Sequence, residues 1–109
     1  MVPAFSITVR DLPDLDVHVV ELSGELDIVS ADFLTDVLAD VAGSTVVVDL
    51  SDLTFIDCRG ISALVRARGR IVASKLGEVV LTGPSGIVRK ALGIVGLSEW
   101  IVEWSPDWG

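Results

Sequence analysis

The sequence predicts an α/β domain built on a mixed β-sheet, and two observations carry this prediction. Strand-like apolar runs at 44–53 and 78–85 alternate with helical patterns, which is typical of parallel strands joined by crossover helices. Ahead of them, residues 4–27 contain two alternating patterns around the turn sequence DLPD, which predict an antiparallel edge hairpin. We therefore expect the order ββαβαβαβ, with a four- to five-stranded sheet, parallel core strands, an N-terminal hairpin and about three helices.

The hairpin is predicted from the segments AFSITVR and VHVVELSGELD. Gly24 lies inside the second segment, where a glycine indicates a bulge or a bend. His18 falls there too. We interpret it as an ordinary strand residue, because no second histidine or cysteine at ligand spacing accompanies it.

The first helix is expected next, with Ser30 as its N-cap, Asp32 in its first turn and Gly43 at its end. Helical spacing predicts packing for the apolar residues Phe33, Leu34, Val37, Leu38 and Val41. Another face carries Asp32, Asp36 and Asp40. That face should be solvated, because like charges four residues apart repel each other.

The remaining elements follow from further segments. The three valines of STVVVDLSDL predict a central strand buried on both faces, and EWIVEW predicts a short last strand. A second helix is expected over 60–75, and a third is capped by Ser85 and stopped by Gly96. Packing is predicted for Ile61, Leu64, Val65, Ile71 and Val72 in the second helix and for Val88, Leu92 and Val95 in the third. Arg68 lies amid the apolar face of the second helix, so its charged end must reach towards water.

Composition narrows the class of protein. The 109 residues are expected to form one domain, 1–109. No apolar stretch approaches the roughly 20 residues of a membrane helix, and the N-terminus lacks a signal-peptide pattern, so we expect a cytoplasmic protein. One cysteine and one histidine provide neither an intrachain disulfide nor a metal site, and we expect no metal and no cofactor.

The net charge of −8 is unevenly distributed. Residues 1–57 contain twelve acids and one base, which gives −11, whereas residues 58–109 contain four acids and seven bases, which gives +3. Two explanations account equally well for this division: ordinary solubility, and two faces that contact different partners. An acidic chain is a poor nucleic-acid binder, because cations that meet phosphates supply most of that affinity.

The segment TFIDCRGIS, residues 54–62, is a strand-to-helix corner with an unusual composition. Asp57 suits the positive end of a helix as a capping acid, whereas Arg59 is unfavourable there. On the second helix, Arg59, Ser62, Arg66 and Arg70 form a narrow stripe opposite the apolar face. A solvated surface and a binding surface both explain such a stripe.

Three segments together resemble STAS domains, and in particular the bacterial anti-sigma-factor antagonists. They are ELSGELDIVSADFL, VVVDLSDLTFIDCRGISALVRA and SGIVRKALGIVGLSEW, and the likeness covers about residues 5–104. The resemblance implies a non-enzymatic module that binds an anti-sigma factor, often a serine kinase, and so frees the sigma factor. In that family the kinase phosphorylates the serine directly before the glycine of an Asp-Ser-Ser-Gly corner, and the added charge breaks the complex.

The chain departs from that pattern at the corner itself. Asp57 and Gly60 match, but Cys58 replaces the first serine and Arg59 replaces the phospho-acceptor. Arginine cannot accept phosphate, so regulation by phosphorylation is expected to be absent at this position. Ser62, one turn further on, is a less favoured substitute.

The resemblance leaves three hypotheses open. In the first, an antagonist docks on its anti-sigma factor through Asp27 and the corner, with Arg59 and Arg66 facing acidic groups of the partner. The contact set would be Asp27, Asp57, Cys58, Arg59, Gly60, Ser62 and Arg66.

In the second hypothesis, Cys58 is a redox switch, since a thiol at a helix N-terminus beside a cation is the usual setting of reactive cysteines. A thiol packed beneath the turn is the favoured alternative.

The third hypothesis is an accessory subunit of a lipid-transport, transporter or signalling assembly. An enzyme is not expected, because the sequence has no Ser-His-Asp order, glycine-rich phosphate loop or paired acids. The C-terminal WIVEWSPDWG offers a further contact: Trp100 and Trp104 either cover the core or form an aromatic patch for a homodimer.

Overall fold

Four strands form one mixed sheet in the order β1-β2-β3-β4. The structure is a computed structural model that describes residues 5–41, 45–73 and 77–103. The elements are β1 (Ser6–Leu12), β2 (Val17–Leu26), α1 (Ile28–Asp40), β3 (Thr45–Ile56), α2 (Cys58–Ala73), β4 (Val79–Thr82) and α3 (Gly86–Ile94). The predicted α/β class, hairpin and parallel core strands are confirmed.

The strand directions place the ends of two strands side by side. β1 is antiparallel to β2, whereas β2–β3 and β3–β4 are parallel, and Leu26 pairs with Ile56 at the ends of β2 and β3. The predicted irregularity at Gly24 is confirmed, because the register shifts there and its φ is +94°. The connections that lead into α1 and α2 therefore begin at the same edge of the sheet.

The core lies between the sheet and the helices. Val20 and Val48 on the sheet are fully buried together with Leu34 of α1 and Leu64 of α2. Val47 is buried on the opposite face in a smaller cluster, so the valine run of β3 is covered on both faces as predicted. His18 is an ordinary residue of β2, and its Nε2 lies 3.6 Å from the Asp11 carboxylate.

α1 begins earlier than predicted. Its N-cap is Asp27 and not Ser30, so Asp32 lies beyond the first turn. Leu34, Leu38 and Val41 are buried as expected, but the packing predicted for Phe33 is wrong, since 64% of it is exposed. The packed face of α1 is centred on Leu34 and Leu38, and Phe33 lies about 100° round the helix from Leu34, on the solvent side. Gly43, the predicted helix end, lies outside the described residues.

α2 packs through smaller residues than predicted. Gly60, Ala63, Leu64, Ala67 and Ile71 are its buried residues. The predicted packing of Val65 and Val72 is wrong, because these side chains are 44% and 40% exposed. Small residues are needed on the inner face because α2 lies against both α1 and the end of β2.

Arg68 leaves the apolar face of α2 sideways. Its guanidinium makes two contacts with the Glu78 carboxylate, Nε to Oε1 at 3.0 Å and the terminal nitrogen to Oε2 at 3.2 Å. It also lies 4.6 Å from the centre of the Trp100 ring. This stack links α2 to the start of β4 and to the turn that follows α3, and it engages the half-buried Trp100 ring within the chain.

The C-terminal part differs from the prediction in two places. In α3, Val88 and Leu92 are buried, but Val95 is 50% exposed because the helix ends before it, at Ile94, and Gly96 takes a φ of +82°. The predicted last strand is wrong: Ser98–Trp100 form a 3₁₀ turn, and only the single bridge of Ile101 to Leu81 follows among the described residues. Trp104 lies outside the described residues.

Within the described ranges, none of the helices is long and apolar enough to cross a membrane.

Candidate docking site

The N-termini of α1 and α2 lie side by side where β2 and β3 end. The backbone N–H of Asp57 donates to the carbonyl oxygen of Leu26 at 3.1 Å, which joins the start of α2 to the end of β2. Asp27 directly follows Leu26 and begins α1. Two of the predicted site residues, 27 and 57, are therefore brought to one edge although thirty positions separate them.

Asp27 fixes the start of α1 through a capping box. Its Oδ1 accepts hydrogen bonds from the N–H groups of Val29 at 3.0 Å and Ser30 at 3.2 Å, while the Ser30 hydroxyl accepts from the Asp27 N–H at 2.9 Å. These bonds favour the carboxylate and lower the pKa of Asp27, the Ser30 N–H being the strongest cause. Ser30, expected to cap the helix itself, instead completes the box and donates to the Glu25 carbonyl.

Asp57 fixes the start of α2 in the same manner. Its Oδ1 accepts from the N–H of Arg59 at 2.9 Å and from the N–H of Gly60 at 3.1 Å. The expected capping role of Asp57 is confirmed. Since its carboxylate is held by backbone donors of the corner, Asp57 shapes the site more than it offers a free charge to a partner.

Gly60 is buried because the corner lies very close to the sheet. A Cβ atom at this position would lie 2.7 Å from Cγ of Leu26, 2.8 Å from the Leu26 carbonyl oxygen and 3.0 Å from a side-chain carbon of Ile56. No L-side chain fits there without a shift of backbone. The glycine that ends the corner motif is thus required by contact with β2 and β3.

Cys58 and Arg59 present their side chains to solvent. The Cys58 thiol is free and exposed, so the interpretation of a thiol packed beneath the turn is wrong. Arg59 makes no ion pair with the described residues. Its positive charge is electrostatically unfavourable at the N-terminus of the helix, and the carboxylate of the Asp57 cap offsets this cost. The corner therefore shows an accessible cation and an accessible thiol together.

The arginine stripe lies along a groove between α1 and α2. The upper part of this groove is a cavity of about 270 Å³ lined by Ile28, Asp32, Thr35, Arg59, Ser62 and Arg66. A second cavity of about 130 Å³ continues it, lined by Thr35, Leu38, Ala39, Ala67, Arg70 and Ile71. We call the two cavities together the α1–α2 groove. Ser62 and Arg66, predicted from helical spacing, both line it.

Exposed apolar residues at the start of α1 were not among the predicted site residues. Ile28 is 58% and Val29 is 69% exposed, and they follow Asp27 directly at the same edge. The signal in the sequence is an Asp followed by two β-branched apolar residues. It is readable only once the helix is known to begin at Ile28, because the later Ser30 start assigns them to a loop.

The described residues contain no group of three or more His, Cys, Asp or Glu side chains able to hold a metal ion. What the site offers is an exposed, rigidly capped corner, a short apolar patch and a row of arginines beside a groove. These are features of a protein-docking surface.

Comparison with known proteins agrees with this architecture. The sequence model of the STAS domain matches residues 7–107, while no curated protein matches the sequence. An anti-sigma factor antagonist from Mycobacterium paratuberculosis has a TM-score of 0.82 at 23% identity, over 95% of this chain and 90% of its own.

Two further solved proteins share the fold. The anti-sigma factor antagonist SpoIIAA has a TM-score of 0.78 unphosphorylated, over 96% of this chain and 91% of its own, and SpoIIAA of Bacillus has 0.71 phosphorylated, over 96% and 95%; both are 21% identical. A sulfate transporter family protein from Wolinella succinogenes has 0.67 at 24% identity, over 83% and 74%. At these identities the likeness shows the fold alone.

Proposed function

The chain belongs to the STAS domain family, and on that premise we propose that it is an anti-sigma-factor antagonist. It binds an anti-sigma factor of the serine-kinase type and so frees the sigma factor held by it. The binding surface consists of Asp27 and residues 57–66. The observation that carries the proposal is the exposed, Asp57-capped corner, because it presents Arg59 where the resemblance implies the phospho-acceptor.

Shape and charge both support docking at this corner. Structures of two anti-sigma factor antagonists share the fold over nearly the whole chain, and the exposed Ile28 and Val29 give the corner an apolar centre. Arg59 and Arg66 then meet acidic groups of the partner, which favours the correct orientation and a fast association rate more than raw affinity.

We further propose that binding is not ended by phosphorylation of the corner. Arg59 has no hydroxyl group, and its positive charge is opposite to that of a phosphoserine. Ser62 is half-buried in the α1–α2 groove between Arg59 and Arg66, so a kinase would meet it less readily than an exposed corner residue. No catalytic step is assigned to any residue of this chain.

The test is calorimetry of the purified chain with each kinase-type anti-sigma factor of the same genome, with and without ATP. We expect binding that ATP does not release, and no phosphate on the chain by mass spectrometry. Arg59→Ser should become phosphorylated and lose binding on addition of ATP. Arg59→Asp should raise Kd by about tenfold without ATP, since an attractive contact becomes repulsive.

The matched control is Arg10→Gln, which removes an exposed cation of β1 that pairs with Glu21 and lies away from the corner. It should leave Kd unchanged. Absence of binding to every candidate anti-sigma factor would sink the proposal, and so would phosphorylation of the unmodified chain at Ser62 that releases the partner.

Cys58 offers a redox variant of the same function. Oxidation of an exposed thiol beside Arg59 would change docking, and thiol labelling of the folded chain tests whether the thiol reacts. A slow, pH-insensitive labelling rate would end the redox hypothesis. Cys58→Ser with unchanged response to peroxide would do the same.

A transporter-type assembly is the second candidate function, and the structure of a sulfate transporter family protein with the same fold favours it. Gene neighbourhood separates the two candidates: a sigma-factor operon supports the antagonist, and a transporter operon supports the accessory subunit. A homodimer through Trp100 and Trp104 is a further proposal; Trp100 already stacks on Arg68, and the solution mass at micromolar concentration tests it.

A further inference from the structure

The α1–α2 groove combines unpaired positive charge with an apolar cavity. Its α2 wall carries Arg59, Arg66 and Arg70, spaced by seven and four residues, a spacing that returns to the same helix face. None of the three makes an ion pair with the described part of the chain, where the ion pairs involve Arg10, His18 and Arg68. At a rise of about 1.5 Å per residue, this row extends roughly 16 Å along α2.

The opposite wall of the groove is formed by α1. Ile28, Asp32, Thr35 and Ala39 line it at the same helical repeat. Beside Arg70, the wall consists of Thr35 and Ala39, while Leu38, Ala67 and Ile71 form an apolar floor. A space of about 130 Å³ there suits one aliphatic side chain. Only Asp32 introduces a negative charge, so the charged side chains of the groove sum to +2.

We propose that the α1–α2 groove binds an acidic amphipathic helix of a partner protein. Carboxylates of that helix meet Arg59, Arg66 and Arg70, and one aliphatic side chain enters the cavity beside Arg70. Charge complementarity selects this occupant, because a row of three guanidinium groups beside an apolar cavity fits alternating acidic and apolar side chains. A duplex or single strand of nucleic acid would supply phosphates but no aliphatic group for the cavity.

A second copy of this chain fits less well. Each copy has a net charge of −8, which opposes self-association. The proposal rests on the proposed function only for the identity of the partner, since Arg70 and the apolar cavity lie beyond the corner at 57–66. With this proposal, the docking surface extends from the corner at 57–66 along the whole α1–α2 groove.

The test uses a synthetic four-turn helical peptide that carries glutamates seven and four residues apart and a leucine beside the last glutamate. Binding is followed by NMR of the ¹⁵N-labelled chain. We expect shifts at Thr35, Ala39, Ala67 and Arg70, and an affinity that falls as salt is added. A peptide with glutamine in place of glutamate should not bind, and neither should one with asparagine in place of leucine.

Two substitutions with opposite expected effects on Kd for the peptide extend the test. Arg70→Gln should raise Kd for the peptide about threefold to fivefold, as expected for one exposed ion pair, whereas Arg89→Gln on α3 is the matched control and should change nothing. Asp32→Asn should lower Kd, because it removes a repulsive carboxylate from the groove, whereas Asp36→Asn, outside the groove, should have no effect. A purely structural role of these residues would not give this pattern.

Several outcomes would overturn the proposal. They are no shifts in the groove at millimolar peptide, equal binding of the glutamine peptide, equal groove shifts with a single-stranded oligonucleotide, or groove shifts on concentrating the chain alone. The last result would assign the groove to a second copy. Since no anti-sigma factor is present in this experiment, failure here leaves the corner-docking test unaffected, and failure there leaves the groove result unaffected.

Discussion

At the scale of single residues, Gly60 sets how closely α2 approaches the sheet. Its missing side chain allows contact with Leu26 of β2 and Ile56 of β3, where a Cβ would lie 2.7 to 3.0 Å from its neighbours. The sequence pattern identifies this glycine as part of a corner. The reason for it, contact with a strand thirty residues earlier, depends on tertiary packing.

Gly60→Ala should lower the free energy of unfolding by about 1–3 kcal/mol, because the added methyl group meets backbone that cannot move aside. Gly69→Ala on the same helix is the matched control. Nothing lies within 4 Å of a Cβ there, so it should stabilise by about 0.5–1 kcal/mol. Urea denaturation of both variants measures the effect, and equal behaviour would contradict the close approach of α2 to Leu26.

Asp27 gives the chain a predictable response to acid. Its folded pKa lies below the ordinary value of 3.8, so the ionised carboxylate stabilises the fold above that value, and this contribution is lost as the pH falls through the folded pKa. Asp27→Asn retains a capping oxygen without the charge. The stability advantage of the unmodified chain over this variant should therefore shrink once the pH falls below 3.8.

Denaturant unfolding of both proteins from neutral to acid pH provides the measurement. Asp36→Asn is the control, since Asp36 is a carboxylate of α1 that caps no helix. An advantage of the unmodified chain that grows on acidification would show that the Asp27 cap does not favour the charged form.

At the scale of the element, α2 shows how helical spacing alone can misplace a packed face. The two largest exposed residues of the predicted apolar face, Val65 and Val72, lie on one flank, while Leu64 and Ile71 are buried. The prediction from spacing assigns the most hydrophobic residues at helical intervals to the packed face. The structure instead centres the packed face on Ala63 and Ala67, because neighbouring α1 leaves little room between the helices.

The phase of α2 can be tested by two truncations of adjacent residues. Leu64→Ala should cost about 2–5 kcal/mol, because it leaves a cavity under a fully buried side chain. Val65→Ala should change stability by less than about 0.5 kcal/mol, as is usual at exposed positions. Thermal or chemical denaturation measures both, and comparable losses at the two positions would contradict the observed phase.

At the scale of the whole molecule, the sequence is sufficient for the α/β class, the parallel core strands and the family, but not for every boundary. Three valines in a row, the DLPD turn and the glycine of the corner are local signals, so β3, the hairpin and the presence of α2 are predictable, although α2 begins at Cys58 and not at residue 60. The start of α1 is not, because Asp27 and Ser30 are both good caps, and the choice depends on the Glu25 carbonyl that engages Ser30. The predicted last strand is reduced to the single bridge of Ile101 with Leu81 among the described residues, because Ser98–Trp100 form a 3₁₀ turn in which Trp100 stacks on Arg68.

The candidate site is predictable in composition and only partly in shape. Spacing places Arg59, Ser62 and Arg66 on one stripe, and the structure puts all three at one groove. The groove itself requires knowledge of α1, since Thr35 and Ala39 carry no signal of their own in the sequence. Pairing between distant elements cannot be derived from a periodic pattern in one of them.

The hydrogen bond from the Asp57 N–H to the Leu26 carbonyl has a consequence for the thermodynamics of recognition. Together with the contact of Gly60 with Leu26, it joins the N-terminus of α2 to the last residue of β2, directly before the N-cap of α1. A partner that contacts the N-termini of both helices binds a corner that is already ordered. Association therefore carries little loss of conformational entropy in this chain. Variants of the interface should consequently differ in residence time, while their association rates stay nearly constant at fixed charge.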